Sequence, residues 1–436
     1  MEFNPLWMFL PVILLIMLGY PVGYVLGGVA VITGLVFWGP AIFPILAHRF
    51  FSLQWNFILI AVPLFVLMGC VLERSGVADR LYEAFHVWMG SLRGGLALAT
   101  VVVCTIMAAA TGVVAASVIM MGLLALPQMI KRGYNTELAA GTVMSAGTLG
   151  ILIPPSVMLV IYGSWAEIPV GRLFMAAVFP GLILSALYMG YIVVRTGLQP
   201  GLGPPLPEEE RGTPLGQKLF LMLTSIIPPM LLILAVLGTI FFGIATPTEA
   251  ASMGVVGSLI VAAINRQLTW SVMKEATYRT ARVVGMICVI AGGSYGFIGV
   301  FMGLGGGPVI RDMMLGLGLG PWGTLAVMMV VVFILGMFID WIGIVMLIVP
   351  LFSPLLAPLG FDPLWFGVLV CVNLQMSFLT PPFGLSIFYI KGLNLPGITM
   401  GHLIRAVIPF ILLIWVGLGL VVAFPQLALW LPGVMR

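Results

Sequence analysis

Asp340 stands at the centre of residues 330–350, VVVFILGMFIDWIGIVMLIVP, a run with no other charge. A carboxylate inside such a run costs about 3 kcal/mol or more unless it is paired, protonated or bound to a cation. Two roles fit it: a cap on a turn, or a ligand or gate for an ion. Two proline pairs, Pro154–Pro155 in GTLGILIPPSVMLVIYG and Pro381–Pro382 in FLTPPFGLSIFYIKG, interrupt other apolar runs. Proline has no N–H to return to the carbonyl one turn upstream, so such a pair frees backbone oxygens in mid-helix. Freed carbonyls and half-helix ends suit a sodium ion. Thr148 and Thr380 add hydroxyl oxygens nearby. Thr111 and Ser117 flank a third polar point, AAATGVVAAS. Hydroxyl residues in apolar helices also pack helices or bond backbone, so for this pair packing and ligation stand as equals. These groups are oxygen ligands for a hard cation. They lack the converging pair of acid, base or nucleophile that an enzyme needs.

The elements that must position them follow from composition. Of the 436 residues, 61% are hydrophobic and 7% are charged. Soluble domains carry about 25% charged residues, so lipid is the solvent for most of this surface. The net charge of +4, with no basic cluster, leaves no case for nucleic acid. The N-terminus, MEFNPLWMFL, has neither a basic leader nor a small-residue cleavage site, so its first apolar segment is expected to remain as a span. Crossings are expected at 5–20, 22–38, 56–72, 137–165 and 171–194, then at 218–243, 247–264, 282–303, 363–392 and 402–424. The stretches 94–130 and 321–358 are each two short apolar legs around a polar tip. They read as re-entrant hairpins, which need protein or a wet cavity around them. The Pro/Gly-rich segment 195–217 reads as the linker between halves. Residues 73–93 and 266–282 read as amphipathic helices on one membrane face.

This layout places Arg49, Arg172, Arg311 and Arg436 on one side and the other fourteen of the 18 Lys and Arg residues on the opposite side. The positive-inside rule makes the second side cytoplasmic and leaves both termini outside. An odd number of crossings per half turns the second half upside down. Aligning the proline pairs, an offset of 227, also superposes Tyr162 on Tyr389, Pro169 on Pro396 and Gly133 on Gly360. An inverted repeat with broken helices is a secondary-transporter architecture, its sites near the midplane. The expected organisation is 1–195 as the first repeat, 196–217 as a cytoplasmic linker and 218–436 as the second repeat.

Other motifs read as structure. Thr246-Pro247-Thr248-Glu249 is a capping box. The four cysteines fall in apolar stretches and read as small buried hydrophobes. His48, His86 and His402 are dispersed at interfaces, and GLGGGP at 303–308 reads as a flexible connection. No ring-forming filter sequence supports a passive channel.

With these motifs in hand, IAVPLFVLMGCVLERSGVADRL, GILIPPS, ATPTEA and FLTPPFGLSIF together resemble the large membrane subunit of TRAP transporters, the DctM family, from end to end. The resemblance implies an elevator-type, all-α inner-membrane protein whose two hairpins and two broken helices move as one unit. It implies sodium coupling and uptake of small organic acids bearing a carboxylate. It also implies two partners, a small four-helix membrane subunit and an extracytoplasmic solute-binding protein. By position it places one Na+ among Ala110, Thr111, Gly112, Thr148, Ile153 and Pro154. A second falls among Asp340, Thr380, Pro381 and Gly384. The alternative reading is a stand-alone sodium-coupled dicarboxylate or anion transporter of similar inverted fold.

Overall fold

A computed structural model describes residues 3–207 and 214–435. Arg211, Arg436 and the acidic stretch of the expected linker lie outside the described residues. Among the described residues the chain is helical and has no strand. Eight of its helices are long and apolar enough to cross a membrane by length and composition. The exposed surface carries large apolar side chains such as Phe220, Leu231, Leu234, Met253 and Ile264. A surface of this kind is stable only against lipid.

Two sets of helices stand out in the packing, and they also touch each other, Val77–Met89 lying on Gly95–Thr111 and Trp270–Gly303 on Trp341–Leu359. Val22–Trp38 lies along Trp270–Gly303, Ala61–Glu73 packs on Pro247–Ile264, and Leu215–Phe241 packs on Val77–Met89. The other group holds two hairpins, two broken helices and the long helices Val170–Leu198 and Met400–Ala423. The first hairpin is Gly95–Thr111 followed by Val114–Lys131. The first broken helix is Thr136–Thr148 followed by Val157–Trp165. The second hairpin is Gly320–Gly336 with Trp341–Leu359, and the second broken helix is Pro363–Ser377 with Leu385–Gly392. Thr136–Thr148 and Pro363–Ser377 are buried on nearly every side, as a helix without a polar face requires.

Contacts at the mouths fix how the hairpins enter. Gly94, before the first leg of hairpin one, donates its N–H to Gly203, and Asn135, beyond the second leg, donates to Leu202, both at 2.9 Å. Both ends therefore meet one segment, 202–203, so the two legs start and finish beside each other. At hairpin two, Trp322 near the start and Phe361 beyond the end bring their rings within 5.2 Å. Met400–Ala423 connects the two mouths. Its Arg405 reaches Glu137 at 4.0 Å, and its Val421 carbonyl accepts from the Trp365 indole at 2.9 Å. Trp365 also packs on Phe361 and Trp322. The hairpins thus open at opposite ends of a helix about 36 Å long.

Polar contacts group in the same way. Glu73 takes a two-pronged bond from Arg279 at 2.8 and 3.0 Å, Arg74 pairs with Glu275, and Asn265 donates to the Ser75 carbonyl. At the far end, Asn56 donates to Ser164 at 2.7 Å, and Arg49 stands over the Tyr295 ring at 5.7 Å. No contact in this set joins a residue expected on one membrane side to one expected on the other.

Several expectations need correction. The amphipathic helix at 266–282 and the crossing at 282–303 are one helix, Trp270–Gly303, capped by Thr269. Polarity changes along it, but no proline breaks it, and at about 51 Å it outruns the hydrocarbon core. Ile42–Gln54, which falls between the expected crossings at 22–38 and 56–72, is a helix. The glycine run at 303–308 opens the helix Gly306–Gly316, with Gly305 at φ +84° supplying its left-handed entry. The expected linker is shorter: the preceding helix runs to Leu198, Leu215 begins the next, and Leu206 donates to Gly90 at 2.7 Å. Cys288 is exposed, while the other three cysteines are buried. Pro228–Pro229 also lies inside the continuous helix Leu215–Phe241, so a proline pair alone does not break a helix.

Candidate functional site

Hairpin one turns at a single glycine. Gly95–Thr111 ends with Gly112 at φ +62°, Val113 is extended, and the second leg starts at Val114. A side chain on Gly112 would be strained, and its Cβ would stand 2.9 Å from the Pro155 carbonyl oxygen. The tip therefore rests directly on the first proline break. Across the break the chain passes through a 3₁₀ turn at Leu149–Ile151 and restarts at Val157. Ser156 stabilises the gap from both sides. Its hydroxyl donates to the Ile151 carbonyl at 2.5 Å and accepts from the Leu159 N–H at 3.5 Å.

Every residue the sequence places at this first site is buried: Ala110, Thr111, Gly112, Thr148, Ile153 and Pro154. Thr111 donates to the Met107 carbonyl at 2.9 Å and lies 3.3 Å from the Ser117 hydroxyl. Thr148 donates to the Ser145 carbonyl at 2.7 Å. Each hydroxyl spends its proton on a helix carbonyl, which leaves oxygen lone pairs free to face a cation.

Hairpin two brings Asp340 to the second break. Asp340 is the N-cap of Trp341–Leu359, and its carboxylate accepts from the Ile342 N–H at 3.4 Å. That bond matches the turn-capping role. It occupies one carboxylate oxygen and leaves capacity on the other. The Phe383 N–H donates to the Met337 carbonyl at 3.2 Å, tying the proline loop to the hairpin. Between them lies a cleft of about 10 Å³, lined by Gly336, Asp340, Ser377, Phe378, Phe383 and Leu385 among others. That is room for a single atom-sized occupant. Thr380 donates to the Met376 carbonyl at 2.7 Å, and its own carbonyl accepts from the Gly384 N–H at 3.0 Å. Gly384, at φ +20°, turns the chain into Leu385–Gly392.

The two sites differ in exposure. The first is closed on all sides, whereas Asp340 and Thr380 are half-buried and Pro381 is exposed. Among the described residues no group of three His, Cys, Asp or Glu side chains gathers to hold a metal. The oxygen sets suit a hard cation bound by carbonyls, hydroxyls and one carboxylate. Sequence reasoning passed over Ser145, Asn373, Gln375, Ser377 and Ser386, which are buried beside the breaks. The signal was present: NLQMS at 373–377 places three polar side chains inside an apolar run.

A lipid-facing helical body, two hairpins opening at opposite ends and two helices interrupted against the hairpin tips define a polytopic membrane transporter. Residues 9–427 match the family described as "Tripartite ATP-independent periplasmic transporter, DctM component". The chain belongs to that family and is the large permease component of such a transporter, a multi-pass inner-membrane protein. It is 34% identical over 390 residues, 89% of each chain, to a C4-dicarboxylate TRAP transporter large permease protein of Pseudomonas aeruginosa. It is 31% identical over 86% of its length, and 85% of the relative's, to an ectoine/5-hydroxyectoine large permease protein of Ruegeria pomeroyi. An isethionate permease protein of Oleidesulfovibrio alaskensis, named DctMQ, matches 96% of the chain at 30% identity over 65% of its own length. The crystal structure of the Alcanivorax borkumensis YdaH transporter superposes with a TM-score of 0.64, covering 96% of this chain and all of that one. At 14% identity this likeness concerns the fold.

Proposed function

We propose that the protein is the membrane translocator of a sodium-coupled, binding-protein-dependent importer of small organic acids bearing a carboxylate. The observation that carries this reading is the pairing of each hairpin tip with a broken helix: Gly112 against Pro155, and Met337 with Asp340 against Phe383. Each pairing gathers oxygen atoms at a helix interruption, where a dehydrated Na+ finds carbonyl and hydroxyl ligands. Sodium occupies Ala110, Thr111, Gly112, Thr148, Ile153 and Pro154 at the first site. It occupies Asp340, Thr380, Pro381 and Gly384 at the second.

Residues 1–195 and 218–436 form inverted repeats joined by a cytoplasmic linker. The hairpins, broken helices and their flanking helices move as an elevator against the remaining helices. A cavity of about 720 Å³ supports this reading, because it separates Ile119, Met120 and Leu123 of hairpin one from Glu73, Arg279 and Arg282 of the other group. A moving unit needs such a gap, since close-packed interfaces do not slide freely. Relatives named for C4-dicarboxylate, ectoine and sialic acid favour a carboxylate as the recognition element, and the relative named for isethionate carries a sulfonate anion in its place.

A small membrane subunit and a solute-binding protein complete the transporter. The test is uptake of labelled organic acids into liposomes holding this chain, with and without those two partners. The reading expects uptake only with both. Full activity from this chain alone would instead favour a stand-alone transporter.

A further inference from the structure

Buried polar atoms without partners gather where the two broken helices cross. Gln375 is fully buried, and its carboxamide nitrogen has no hydrogen-bond partner. Its carboxamide oxygen lies 3.4 Å from the Thr148 hydroxyl, a contact between the two halves of the chain. The Ser145 hydroxyl, one helical turn before Thr148, is buried and unpartnered. Tyr188 stands within reach of Thr148, but its buried hydroxyl closes no hydrogen bond. Buried donors are rarely left empty in a folded protein, and a trapped water is the usual partner. The Gln375 nitrogen, with a hydroxyl one turn from Thr148 and another beside it, offers the kind of polar groups such a water needs.

The position of this cluster gives it a role. Thr148 lies six residues before Pro154, and Gln375 lies six residues before Pro381. Next to Gln375 is Met376, whose carbonyl holds the Thr380 hydroxyl, and then Ser377, which lines the Asp340 cleft. A continuous run of contacts thus joins Thr148 to the second break. We propose that Gln375 is a positioning residue that couples the two ion sites. Its oxygen shares the Thr148 hydroxyl proton with the Ser145 carbonyl, and its nitrogen holds a trapped water that also reaches the Ser145 or Tyr188 hydroxyl. Sodium at either site orders this crossing and so favours sodium at the other, because coupling between sites is reciprocal. The inference rests on the sodium reading above and adds a link between its two sites.

The test uses the complete complex in liposomes and measures uptake against sodium concentration. Gln375→Met keeps side-chain length and removes both polar atoms. The expected result is a Hill coefficient above one in the parent that falls to one in the variant, with half-saturation rising about threefold or more. A merely structural glutamine would lower thermal stability and leave the sodium curve unchanged. Tyr188→Phe removes one proposed water partner and keeps the ring that packs on Phe410 at 5.4 Å. It should lower the coefficient in the same direction, and it decides the matter if Gln375→Met does not fold. A parent coefficient of one, or unchanged curves in the folded variants, overturns the coupling while leaving sodium transport standing. No sodium dependence in the parent would remove the sodium-coupled reading itself.

Discussion

Asp340 meets two neighbours at once. It caps Trp341–Leu359 through the Ile342 N–H, and it also borders the cleft against the second proline loop. Asp340→Asn keeps the size and the capping oxygen and removes the charge. Apparent sodium affinity is expected to weaken by about tenfold, equivalent to roughly 1.4 kcal/mol. Stabilisation of the folded protein by sodium should shrink in step, since a ligand of the native state stabilises it by mass action. Uptake and melting, each measured against sodium concentration, check this; an unmoved half-saturation would leave Asp340 as a cap alone. The residue was legible in sequence because a lone carboxylate in lipid demands an explanation. Gln375 drew less notice, because a neutral amide in an apolar run makes a weaker demand than a carboxylate, and only the fold reveals its contact with Thr148.

At the scale of the element, the breaks matter more than the prolines that mark them. Pro228–Pro229 sits inside an uninterrupted helix, so the pair at 154–155 acts together with its surroundings. Ser156 caps the restart of the first broken helix, and Gly384 turns the second. Both restarts face a hairpin tip. Replacing Pro154–Pro155 with alanines returns two N–H donors to the backbone and favours a continuous helix by several kcal/mol. Such a helix would withdraw the carbonyls from the tip at Gly112. The expected outcome is normal membrane insertion with uptake reduced at least tenfold, read by expression level and initial rate. Wild-type uptake would show that the open carbonyls are not part of the site. Helix boundaries followed from hydropathy wherever glycine or proline punctuated the chain. They failed at Trp270–Gly303, where polarity changed but the backbone did not break. Nor did hydropathy mark Ile42–Gln54, where His48 and Arg49 interrupt the apolar residues of a helix.

For the whole molecule, the charge bias predicts one orientation in the membrane. The grouping of Glu73, Arg74, Glu275 and Arg279 at one end, and of Arg49, Asn56, Ser164 and Tyr295 at the other, matches the sides assigned from sequence. The orientation predicts that a cysteine placed at Gly201 is shielded from an impermeant reagent added outside intact cells. One placed at Met435 should react, and the reverse pattern would invert the protein in the membrane. The expectation of two halves came from the 227-residue spacing that repeats proline pairs and tyrosines. The mixing of helices from both halves in each packing group was not legible, since apolar faces do not name their partners. The central claim is that sodium entry drives solute entry through this chain. Its most direct measurement is uptake by the complete complex in liposomes under an inward sodium gradient, with the membrane potential clamped and potassium replacing sodium in the control. The account predicts accumulation of a carboxylate solute above its outside concentration with sodium and none with potassium. Equal accumulation under both gradients would contradict it.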